Sequence, residues 1–141
     1  MTTMEAYHPG RAAPSWRAQI AVLVGIATAL VALRLPLRVA TSLCRWTRRR
    51  ECRRISARQA ARLVAAVRWT ARRWPGRFAC LETSLATVLA ARILGLDLQW
   101  ALGVRFSPPP TSYHAWVHQP GHGPAGEYTV GGWHYHCVLV I

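Results

Sequence analysis

The spacing of apolar residues changes character once along this chain, near Gly76, and that change decides what kind of fold it can adopt. Before Gly76, apolar residues recur at helical intervals with arginines between them. After it, one more helical stretch leads into runs in which apolar and polar residues alternate, separated by prolines and glycines. Helices followed by helix, strand, strand, strand predict an α+β fold, with N-terminal basic helices ahead of a core built from a cysteine-bearing helix and antiparallel strands. The 141 residues suit one compact domain that needs no disulfides, and an apolar content of 52% excludes wholesale disorder.

Three stretches are expected within that domain: a flexible N-terminus at 1–17, holding Pro9, Gly10 and Pro14; a basic helical region at 18–76; and a core at 77–141. Gln19 to Leu33 reads as one apolar helix, stopped by Arg34 and Pro36. A basic segment, Leu37 to Arg54, comes next. Ser56 and Gln59 then form a capping box, in which each side chain satisfies a backbone donor at the start of a third helix. Ala60, Leu63, Val64, Val67 and Ala71 make its apolar stripe, and Trp74-Pro75-Gly76 ends it. A fourth helix, Cys80 to Leu94, carries Leu81, Leu85, Val88 and Leu89 on one stripe and stops at Gly95. Leu98, Trp100, Leu102, Val104 and Phe106 alternate with Gln99, Ala101, Gly103 and Arg105, which is strand spacing. Tyr113–His118, Tyr128–Val130 and Trp133–Ile141 are further strand runs, and Gln119 to Gly126 must turn.

Charge is divided as unevenly as texture. All 18 basic residues are arginine, and 16 of them precede Cys80, opposed only by Glu5 and Glu51. The remainder holds Arg92 and Arg105 against Glu82, Asp97 and Glu127. The basic half, with Trp46, Trp69 and Trp74 among its arginines, ranks first as a partner-docking surface, second as a membrane-surface element and third as a nucleic-acid binder, since no nucleic-acid motif accompanies it. The run Ile20 to Leu33 is shorter than the roughly 20 apolar residues that span a bilayer, which favours a buried or membrane-surface helix. Arg11 and Arg17 precede it as a signal peptide's would, but no small-residue cleavage site follows. Cys44, Cys52, Cys80 and Cys137 show no CxxC pair, so a reduced, cytoplasmic protein is expected, with membrane association as a variant of that reading.

Cys80 opens a helix, where free N–H groups and the helix dipole favour the thiolate. His114 lies on a strand and Glu127 just past the next turn, so the three could form a nucleophile triad. On spacing alone the plainer reading of Cys80 is a small buried apolar residue. Metal binding by His122, His134 and His136 is a competing use. On one strand His134 and His136 would stand ~6.6 Å apart, whereas His114 and His118 would be ~13 Å apart. No cysteine pair supports a metal, and histidines on a solvated strand are the plainer alternative. A metal-, nucleic-acid- or membrane-binding basic protein without catalysis is the alternative function.

The stretch Cys80-Leu-Glu-Thr-Ser-Leu-Ala86, with Ala91-Arg-Ile-Leu-Gly95, Leu102-Gly-Val-Arg105 and Tyr113-His-Ala-Trp-Val117, resembles the lasso peptide leader peptidases. These are transglutaminase-like cysteine proteases that form the second half of the B protein in lasso peptide biosynthesis. The resemblance runs from about Arg77 to Glu127. It implies a papain/transglutaminase-like fold, Cys80 as nucleophile, His114 as base and Glu127 in the place of the family's aspartate. It also implies removal of a leader from a ribosomally made precursor without cofactor or metal. The expected partners are that lasso precursor peptide, a separate leader-recognition protein and the lasso cyclase.

Overall fold

The structure, a computed structural model, describes residues 15–48, 51–126 and 135–141. Its elements are α1 (Trp16–Ala32), α2 (Leu37–Arg48), α3 (Ala57–Ala71), α4 (Cys80–Ile93), β1 (Gln99–Arg105), β2 (Ser112–Gln119), β3 (Gly123–Pro124) and β4 (His136–Val140). Among the described residues the strands form one antiparallel sheet in the order β3-β2-β1-β4. The α+β expectation is met. Gln119 to Gly126 does turn, at 120–122, and then contributes the two-residue strand β3 beside β2. The expected strand Tyr128–Val130 lies outside the described residues.

Helix boundaries follow local chemistry. Ser56 accepts from the Gln59 N–H at 3.2 Å and Gln59 Oε1 accepts from the Ser56 N–H at 3.2 Å, so the capping box of α3 is complete. Ala60, Leu63, Val64, Val67 and Ala71 are buried, while Arg58, Arg62, Arg72 and Arg73 are exposed. Gly95 ends α4 with a φ of 69°. Its N–H donates to Arg92 O and that of Leu96 to Ala91 O, the paired bonds of a Schellman ending, whose left-handed residue glycine adopts without strain.

One buried cluster draws on α1, α3, α4, β1 and β2 together, with Ala40 and Cys44 of α2. At its centre lies α4, buried continuously from Ser84 to Arg92. The expected single stripe on this helix is therefore too narrow: α1 and α3 cover the sides that the sheet leaves open. Closest of these contacts is α1 on α4. A Cβ on Gly25 would stand 2.6 Å from Ala86 O and 3.0 Å from Ala90 N, so the crossing needs glycine at that position. Ala21, Ala29 and Ala32 line the same face of α1. No helix among the described residues is long and apolar enough to cross a membrane.

Strand β1 also departs from simple alternation, because both of its faces are covered. Trp100 joins the main cluster and donates its indole N–H to Ser84 Oγ at 2.9 Å, while Gln99, Ala101 and Arg105 are buried on the other side. Further ties come from loops. The Gln119 amide donates to Ile55 O at 2.6 Å, and Arg53 bridges its backbone to Gly95 and Asp97 beside the Arg92–Asp97 ion pair of 3.1 Å. Gly25→Val should lower stability by about 1–3 kcal/mol, because the added side chain meets backbone that cannot swing away. Urea unfolding would show this as an earlier midpoint with an unchanged slope.

Candidate active site

Burial singles out the first turn of α4. Residues Ser84–Arg92 are inside the protein, whereas Cys80, Leu81, Glu82 and Thr83 are half-buried, so the helix reaches the surface at the end that carries Cys80 as well as at Ile93, its last residue. The cap residue there is Ala79, which has no side-chain acceptor to offer. Only half of a capping box forms: Glu82 Oε2 accepts from the Ala79 N–H at 3.0 Å. By contrast, α1 and α3 begin with serines whose hydroxyls accept from backbone N–H groups. Glu82 takes up the Ala79 N–H, and the dipole of the helix start favours a thiolate or an oxyanion beside it.

His114 is half-buried on β2, which packs against α4, so Cys80 and His114 belong to adjoining elements. The β1–β2 register pairs Gly103 with His114, Ala101 with Trp116 and Gln99 with His118, and residues paired in this way share a face. Trp100 and Val117 share the other face and join the core. The His114 ring stacks on Trp116 with centroids 6.0 Å apart and meets Tyr135 at 5.3 Å. Tyr135 in turn lies 5.8 Å from the Arg105 guanidinium, and its hydroxyl is 3.4 Å from Ser112 Oγ.

Gly103 makes this arrangement fit. A Cβ there would fall 2.6 Å from the Trp116 ring and 2.8 Å from His136 O, so Trp116 lies over the space that a side chain would fill. Tyr135 and Gly103 are thus the neighbours of His114 that sequence reasoning missed. Gly103 was visible as a glycine inside a strand, the usual mark of a close approach. Tyr135 carried no local signal. Glu127, the expected third triad member, lies outside the described residues. It follows Gly126, whose carbonyl accepts from Arg68 Nη1 at 3.2 Å.

The remaining thiols have different surroundings. Burial pushes the Cys44 thiol up to about 12, against a smaller downward pull from Arg92. Cys52 is half-buried. Cys137 is exposed, because β4 is bonded to β1 on one side and turns that residue outward. Among the described residues, no three His, Cys, Asp or Glu side chains are grouped to hold a metal ion. His134, part of the alternative metal set, is outside the described residues. Treatment of the native protein with iodoacetamide should label Cys137 and spare Cys44, which should react only after denaturation; peptide mapping by mass reads both.

No curated protein and no solved structure matches the chain. A family model does, the core domain of the transglutaminase-like superfamily, over residues 22–135. That match takes in most of α1 and all of α2 and α3 as well as the Cys80 helix and the His114 strand. The chain belongs to the transglutaminase-like superfamily.

Proposed function

We propose that the protein is a cysteine peptidase that removes the leader from a lasso peptide precursor. The observation that carries this reading is the position of Cys80, half-buried in the first turn of a helix whose residues Ser84–Arg92 are buried. Membership of a superfamily that includes cysteine peptidases supports the chemistry. The resemblance of the Cys80, Leu102–Arg105 and Tyr113–Val117 segments to leader peptidases supports the substrate.

In this mechanism His114 takes the Cys80 proton, and the thiolate attacks the scissile carbonyl carbon. The carbonyl π electrons move to oxygen, and the Cys80 backbone N–H, at the helix start, steadies the charge. Collapse of the adduct breaks the C–N bond as His114 protonates the leaving amine. Water then gives a proton to His114 and attacks the thioester. The peptide acid departs, and the thiolate is restored beside protonated His114. Glu127 orients the imidazole. The step needs thiol and imidazole within hydrogen-bond reach in the substrate complex. Leader capture falls to a separate recognition protein. The arginine-rich helices dock that protein, the precursor or the cyclase.

Incubation with the precursor and the recognition protein, read by mass spectrometry, tests the reading. Cys80→Ala and His114→Ala should each abolish leader removal while leaving the thermal midpoint near wild type. Glu127→Gln should slow cleavage yet leave it measurable, since an orienting group is less essential than the base. Cleavage by Cys80→Ala at the wild-type rate would exclude the assignment.

A further inference from the structure

Among the described residues, nothing covers one face of α1. Ala21, Val22, Gly25, Ile26, Ala29 and Ala32 face inward. On the opposite side Trp16, Ile20, Leu23, Val24 and Val31 recur at helical spacing and stand in solvent, with Leu23 56% and Val31 65% exposed. Exposed Leu35 extends this stripe past the end of the helix. An apolar strip of this length on a protein surface marks an interaction site more often than chance exposure.

Charge selects the occupant. Arg17 stands at one end of the strip, its guanidinium 5.4 Å from the Trp16 ring, and exposed Arg34 and Arg38 stand at the other. Between Glu5 and Glu51 the sequence contains no acidic residue. A second copy of a chain with net charge +13 would bring like-charged surfaces together. An anionic bilayer satisfies both features at once. Aliphatic side chains enter the boundary between headgroups and acyl chains, and arginines at each end meet lipid phosphates. The strip also runs along an α1 about 25 Å long whose other face is the protein core, so the helix can lie in the interface but cannot thread through it.

We propose that the outer face of α1 docks the protein on an anionic membrane surface. This docking is independent of the peptidase chemistry, and its test requires no substrate. Full-length protein is floated with vesicles of phosphatidylcholine alone or mixed with phosphatidylglycerol. Recovery with the anionic vesicles should exceed that with neutral ones by about tenfold. The double change Leu23→Asp with Val31→Asp should remove the difference, and so should Arg34→Glu with Arg38→Glu. Both pairs replace exposed side chains, so circular dichroism and the thermal midpoint should match wild type. Equal recovery on the two vesicle types would overturn the proposal, as would flotation of both variants like wild type. Failure to float with either vesicle would leave the face to a protein partner and also overturn it. So would a monomer–dimer equilibrium in sedimentation that Leu23→Asp abolishes.

Discussion

The crossing of α1 over α4 at Gly25 is the contact on which the other packing depends. With Gly25 against Ala86 and Ala90, the two helix backbones come close enough for Ala21, Ala29 and Ala32 to exclude water. That contact puts a wall on the side of α4 that the sheet does not cover, and α3 and the sheet close the rest. A helix surrounded in this way can be apolar over most of its circumference, as α4 is. Its first turn and its last residue, Ile93, escape. The same packing that buries Ser84 to Arg92 therefore determines where Cys80 meets solvent.

The sheet holds the second half of the candidate site by a different device. The His114 ring lies against two others, stacked on Trp116 and tilted against Tyr135. Trp116 can lie as it does because its cross-strand neighbourhood contains Gly103, where even a methyl group would collide with the ring and with the β4 backbone. Three strands thus converge on one imidazole: β1 through the missing side chain, β2 through Trp116 and β4 through the residue that enters it. Gly126, just past β3, accepts from Arg68 of α3, and a Cβ on it would stand 3.2 Å from Val64, so this part of the chain is anchored on the basic helical region.

Arginine serves opposite purposes in the two halves. Among the described residues, every arginine before Cys80 except Arg68 is exposed, and these side chains make the surface strongly basic without entering the core. Arg92, by contrast, is an interior residue, its side chain 3% exposed and paired with Asp97. Burying a guanidinium costs several kcal/mol unless it is paired, so Asp97 and the Arg53 bridge beside it are needed for the turn between α4 and β1 to close. Composition alone treats all 18 arginines alike.

Features that depend on a few consecutive residues were legible in the sequence. The Ser56–Gln59 box, the Gly95 stop, the Pro36 break and the alternation through β1 all depend on hydrogen bonds or sterics within a turn or a strand. The placement of Cys80 at a helix start was legible for the same reason. Tertiary structure decided the rest. Ser84 found Trp100 across 16 positions of sequence, Gln119 found Ile55 across 64, and neither residue carries a local mark of its partner. Both faces of β1 are buried because elements far away in sequence cover them, so its alternation predicted a strand but not its surroundings. Cys137 and Cys44 look alike as single apolar letters, yet one is exposed on β4 and the other is buried where α2 joins the main cluster. Spacing along the chain specifies which way the backbone hydrogen-bonds with itself. Which side chains lose water depends on contacts between segments that meet only when the whole chain has folded.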